Sequence, residues 1–243
     1  MNIFESLIIV AIAALVHASF QLSISMLTLL SSHTIGAKHS HRRLLALTNA
    51  FTFGAFVMTI LLLSNAVLLI QLILSPDNVV LTWVAGCGLL FGLGLAVWIF
   101  YYRKEQGTTL WVPRGMARYL SERTKATKQP AEAFGLGLSS VLAELLFIFV
   151  PIIISALLLS ELEPVWQVIG IILYAALSLF PLFIITGLIG AGHKISRIQR
   201  WREDNKLFLQ FIAGGGLIAL GFYLYVSHVV GTAATLAVNG SIY

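Results

Sequence analysis

Apolar residues along this chain gather into six long blocks, at 4–30, 44–74, 79–102, 133–159, 165–189 and 207–229, separated by short segments that carry nearly all the charge. A bilayer core of about 30 Å takes roughly 20 helical residues, so each block is long enough to cross. Lipid-facing backbone has to satisfy its own hydrogen bonds, which forces helix or a closed barrel, and the blocks lack the alternating ten-residue pattern of a barrel. The expectation is an all-α membrane protein with six transmembrane helices. The start, Met1-Asn2-Ile3-Phe4-Glu5, has no basic segment and runs into an apolar stretch longer than a signal core, so it reads as a retained first span.

Composition agrees. The 243 residues are 58% hydrophobic and only 10% charged, against about 25% charged in a soluble domain. Lys and Arg exceed Asp and Glu by 15 to 10, a balance that would suit nucleic acid if the charges were spread over one face. They are not. Lys38, Arg42 and Arg43 follow the first block, seven more between Arg103 and Lys128 follow the third, and Lys194, Arg197, Arg200, Arg202 and Lys206 follow the fifth. The loops after the second and fourth blocks hold only acids, Asp77, Glu161 and Glu163. Because Lys and Arg in short loops stay cytoplasmic, the first, third and fifth loops are expected inside and both termini outside, in a multi-pass protein of the plasma (inner) membrane. Trp98, Tyr101 and Tyr102 at the inner end of the third block, and Trp83 and Trp166 at outer ends, suit interfacial anchoring. The basic loops then imply anionic lipid headgroups as partners, and no nucleic acid.

Three blocks to a unit divide the chain into a first repeat at 1–104, a basic cytoplasmic loop at 105–132 and a second repeat at 133–243. Within the loop, Met116, Tyr119 and Leu120 share a helical face, as an interfacial helix requires. Three is odd, so the second unit enters from the opposite side and the repeats are inverted. Val84-Ala85-Gly86-Cys87-Gly88-Leu89 lies over Ile212-Ala213-Gly214-Gly215-Gly216-Leu217, and His17 to Gln21 lies over Ser140 to Glu144. Closely spaced glycines also serve helix packing alone. Inverted repeats are a recurrent plan of secondary transporters, whose sites form where the halves meet.

Glu144 is the one charged residue deep inside a block, about 16 Å from its start at 1.5 Å per residue. An acid there costs on the order of 2.5–3.5 kcal/mol on insertion scales and marks a bundle interior or a water cavity. Such a carboxyl suits proton carrying or solute binding; the plainer alternative is a protonated group joining two helices. His17 and Gln21 share one face of the first span and are expected opposite Glu144. Pro151 and Pro181 each delete a donor inside a block, so both are expected helix breaks. Tyr174, Ser178, Asn49 and Thr52 read as structural helix contacts. His33, His39 and His41 form a weak metal candidate without Cys or acidic company, so no metal and no cofactor are expected. Cys87 is the only cysteine, which excludes an intrachain disulfide or two-thiol relay. Walker, dinucleotide, HExxH and GxSxG patterns are absent, so no enzyme class is indicated.

Three-plus-three spans, outside termini, a glycine-rich third helix in each half and a polar position in each first helix resemble the lysine-exporter superfamily and its cytochrome c biogenesis (CcdA-like) branch. The likeness is architectural and covers nearly the whole chain. It implies export of a small solute or ion, or electron transfer through a Cys pair on the first helices of the two halves. The corresponding positions here are Gln21 and Glu144, and neither is Cys. The exporters' Pro-Gly-Pro break in the first helix and the His-x4-Asp-His pattern of nickel and cobalt carriers are also missing, so the resemblance does not carry a substrate over. The leading expectation is a secondary transporter or exporter with Glu144, Gln21 and His17 at its site, able to form a homo-oligomer. The rivals are a membrane-embedded scaffold or complex subunit, and an intramembrane enzyme acting on lipid with His17 and Glu144 as acid and base.

Overall fold

The computed structural model describes residues 2–20, 41–73, 79–101, 114–191, 200–201 and 204–231. Regular structure among the described residues is entirely helical. In chain order the helices are α1 (Ile3–Ser19), α2 (His41–Ile73), α3 (Val79–Ala96), α4 (Arg114–Ala126), α5 (Pro130–Ala143), α6 (Leu145–Ser160), α7 (Pro164–Ser178), α8 (Phe180–Gly190) and α9 (Lys206–Leu224). Two of them run on into π-helical turns, α3 into Val97–Tyr101 and α9 into Tyr225–Val230. The sequence separation that lays Val84 on Ile212 also lays Val97 on Tyr225, so the two π turns begin at matching positions.

Helices α2, α3 and α9 are each long and apolar enough to cross a bilayer. The blocks expected as the fourth and fifth spans, each with a break at its proline, are bent pairs: α5 and α6 meet at 79°, α7 and α8 at 53°. With each pair counted as one span, the described residues hold up to five. Helix α1 has 17 residues, shorter than a full crossing, and the remainder of the 4–30 block lies outside the described residues. The chain therefore carries several helices long and apolar enough to cross a membrane.

Side chains follow the inverted logic of a lipid solvent. On α1, Phe4, Ile8, Ile12 and Leu15 are exposed at helical spacing while Ile9, Val10, Ala13 and Ala14 are buried. Helix α6, apolar all round, is the most enclosed, with Ile148, Ile154, Leu157 and Leu159 among its buried residues. It packs on α1, α2 and α3. Pro151 sits inside it and does not break it. A proline forfeits one hydrogen bond, and neighbouring helices hold the flanking turns in place.

Small residues set the closest approaches. Helix α5 presses on α2 so tightly that a Cβ on Gly137 would meet the Phe51 carbonyl oxygen and lie 2.9 Å from the Ala55 nitrogen, and one on Gly54 would meet the Phe134 carbonyl. Across α3 and α9, Gly94 and Gly214 face each other's carbonyls, and Trp98 stacks on Phe211 at 5.5 Å. Trp83, expected as an outer anchor, is buried and stacked on His228 at 3.8 Å. Interior ring stacking outcompetes the interface there. Helix α4 packs on α5 through Leu120, which is buried, while Tyr119 is exposed with Arg123 over its ring.

Backbone contacts of this kind leave no side chain that can yield. Gly137→Ala is expected to destabilise the protein by roughly 1–3 kcal/mol through overpacking, whereas Gly92→Ala, whose Cβ meets nothing within 4 Å, is expected to stay near neutral. Unfolding in detergent with increasing SDS fraction separates the two; equal stability of both variants would contradict the packing described.

Candidate functional site

The α5–α6 break has a local cause. Ser139 and Ser140 turn their hydroxyls back onto the carbonyls of Gly135 and Gly137 at 2.9 and 2.8 Å, a habit that bends helices. Glu144 follows, its N–H shared between the Ser140 and Val141 carbonyls at 3.3 and 3.1 Å and its own carbonyl accepting from Phe147 and Ile148 at 2.8 and 3.2 Å. The ladder thus survives the turn, and Glu144 at 2% exposure faces protein. Its place is the corner between two half-helices, a correction to the reading that set it within one straight span. The depth counted along a straight helix no longer applies.

Helix α1 ends in the same way. Phe20 has φ −88° and ψ −10° against −84° and −6° at Glu144, and its N–H returns to the His17 carbonyl at 3.0 Å. Its ring stacks on Phe147, one turn beyond Glu144, with centroids 5.5 Å apart and planes at 17°. The end of α1 and the corner of α5–α6 therefore adjoin.

His17, in the last turn of α1, is fully buried. Its Nδ1 is 2.9 Å from the Tyr174 hydroxyl on α7, and its Nε2 has no partner among the described residues. Neutral imidazole carries one donor and one acceptor, so either tautomer leaves one hydrogen-bonding function open at Nε2. Tyr174 is also fully buried. Ser178, one turn on, bonds back to the Ala175 carbonyl at 3.2 Å, and Leu179 then ends α7. Pro181 lies in the first turn of α8, where its missing N–H costs nothing. The α7–α8 break thus falls beside the proline that marked it.

The sequence-predicted residues are partly gathered. His17 and Glu144 lie at the two adjoining helix corners, but the partner that the structure gives His17 is Tyr174. Gln21, His33 and His39 lie outside the described residues, as does the side chain of His41. Among the described residues no three His, Cys, Asp or Glu side chains gather as a metal site would need. Tyr174, expected as a structural helix contact, makes one between α7 and α1 through His17; its spacing from Ser178 and Pro181 is the only signal of it in the sequence. Ser155 on α6 is another buried hydroxyl with no partner among the described residues.

Models of known families, curated proteins and solved structures contain no match to this chain.

Removing the Tyr174 hydroxyl would orphan His17 Nδ1 inside the protein, which costs about 1–3 kcal/mol. Tyr174→Phe is accordingly expected to lower the thermal midpoint in detergent, and His17→Phe with Tyr174→Phe to recover part of the loss. A single variant as stable as wild type would mean that the pair contributes nothing.

Proposed function

We propose that this chain is a secondary transporter of a small solute or ion, built from two inverted three-helix halves with six membrane crossings. The observation that carries the reading is a buried carboxyl, Glu144, at a sharp helix corner that adjoins the end of α1. Irregular backbone at membrane depth is tolerated only inside protein or beside a water cavity, and transporters use it to present half-helix ends and polar groups to a substrate. His17 Nε2 and the Glu144 carboxyl are the groups assigned to solute binding or proton coupling.

The repeat rests on matched features. The π turns of α3 and α9 begin at equivalent positions, and α1 packs on α7 as α5 packs on α2. This is the plan that the lysine-exporter resemblance implies, without its Cys pair. Orientation follows from the basic loops, which puts α4 and its Arg118, Arg123 and Lys125 on the cytoplasmic side.

In proteoliposomes carrying a pH-sensitive dye, wild type exposed in turn to amino acids and divalent cations is expected to move protons with at least one of them. Glu144→Gln is expected to slow that flux at least tenfold while keeping its monodisperse elution. Flux of unchanged pH dependence in the variant would remove Glu144 from the mechanism, and no flux with any solute would favour a complex subunit.

Topology has a separate check. In a Cys87→Ala background, Glu163→Cys is expected to react with an impermeant maleimide on intact cells, and Lys128→Cys only after permeabilisation. The reverse pattern would invert the orientation.

A further inference from the structure

Between α2 and α8 runs an open groove of about 600 Å³. Its walls are apolar, with Leu45, Phe53 and Phe56 on α2 facing Phe183 and Gly187 on α8. A Cβ on Gly187 would meet nothing within 4 Å, so the space beside it is unfilled. Polar groups interrupt one stretch: Thr52 and Thr186 join hydroxyls across the helices at 2.9 Å, and Asn49 presents an exposed carboxamide to the groove.

Asn49 is unusual for its setting. It lies near the start of a helix apolar enough to cross a membrane, and its amide makes no hydrogen bond among the described residues. Hydrocarbon cannot satisfy two donors and an acceptor, and each group left bare costs free energy. The groove's own register says where the missing partner comes from. Arg42, Leu45, Asn49, Thr52 and Phe56 recur at intervals of three and four, a single stripe along α2. Arg42 is exposed and opens that stripe about 10 Å before Asn49 at 1.5 Å per residue. Helical side chains lean toward the N-terminus, so its guanidinium reaches away from the apolar walls toward the headgroup layer. Arg43, one position on, is turned elsewhere and donates to the Lys128 carbonyl at 2.9 Å.

Cation, then amide and hydroxyls, then aromatic walls is the order of a glycerophospholipid read from headgroup to tail. We propose that the α2–α8 groove binds one phospholipid with an anionic headgroup, its phosphate at Arg42, its ester region at Asn49, Thr52 and Thr186, and an acyl chain against Phe53, Phe56 and Phe183. Guanidinium forks match phosphate oxygens, which favours phosphate over a purely hydrophobic occupant. This site is independent of Glu144 and stands whether or not the chain transports.

Native mass spectrometry of the detergent-purified full chain, titrated with phosphatidylglycerol or phosphatidylcholine, tests it. Wild type is expected to retain at least fivefold more phosphatidylglycerol. Gly187→Trp, at a position where an added Cβ meets nothing within 4 Å, puts an indole into the groove and is expected to cut adducts of both lipids about tenfold, whereas Gly88→Trp, whose Cβ likewise meets nothing, should leave them unchanged. Arg42→Gln is expected to erase the preference while keeping phosphatidylcholine adducts. Wild-type adduct levels in Gly187→Trp, an equal loss in Gly88→Trp, or no preference in wild type would each overturn the assignment.

Discussion

Lipid cannot hydrogen-bond a peptide group, and every interruption of a helix in this protein has to be reconciled with that fact. Among the described residues two apolar stretches are interrupted by sharp corners, at Glu144 and at Leu179, and both corners are buried. Neither leaves its backbone open. At Glu144 the N–H and carbonyl both stay bonded through short-range contacts, and at Leu179 the N–H returns to the Ala175 and Leu177 carbonyls. Corners of this kind survive only if other helices wall them off, so the arrangement of α1, α2 and α6 around them follows from the need to keep lipid out.

Helix α2 supplies most of that wall. It runs unbroken for 33 residues and touches both halves of both bent pairs, α5, α6, α7 and α8. Its contacts are of two kinds. Against α5 the backbones nearly touch, through Gly54 and Gly137, and without a hydrophobic drive between helices in lipid such close van der Waals contact is the main source of cohesion. Against α8 the contact is a hydroxyl pair and a tilted ring pair, Phe56 with Phe183 at 6.2 Å, beside an open groove. Thr48 and Thr59 satisfy their hydroxyls on α2's own carbonyls at 3.1 and 3.0 Å, so of the buried threonines on α2 only Thr52 reaches to another helix.

Helix positions were largely legible because length and hydropathy are read directly from composition. The blocks at 44–74, 79–102 and 207–229 differ from α2, α3 and α9 with their π turns by only a few residues. Breaks were legible only where chemistry marked them. Pro181 lies two residues past the α7–α8 corner, since it cannot continue a ladder, but Pro151 is carried through α6 by packing on three neighbours. The α5–α6 corner is signed by Ser139 and Ser140, whose back-bonding reads in sequence as ordinary small residues. The carboxyl at Glu144 could be picked out as costly, and that it would stand at a corner could not. Least legible was the His17–Tyr174 bond, between residues 157 apart in sequence; no local pattern encodes such a pairing.

The uneven grip of α2 has a consequence for motion. Proteins shift by rigid elements moving where packing is sparse, with hinge positions absorbing the change in torsion. Helix α5 is held by backbone contacts that forfeit energy on any displacement. Helix α8 is joined to α2 by the Thr52–Thr186 hydroxyl pair and a tilted Phe56–Phe183 ring contact at 6.2 Å, has Phe183 and Ile184 exposed, and starts from Leu179, where the helix is already interrupted. Helix α8 meets α2 through side chains where α5 meets it through backbone, so α8 is the more readily displaced of the two, and Leu179 lies five residues past the tyrosine that holds His17. A movement of α8 about that point would reach the His17 pair through α7, while whatever fills the α2–α8 groove would resist it.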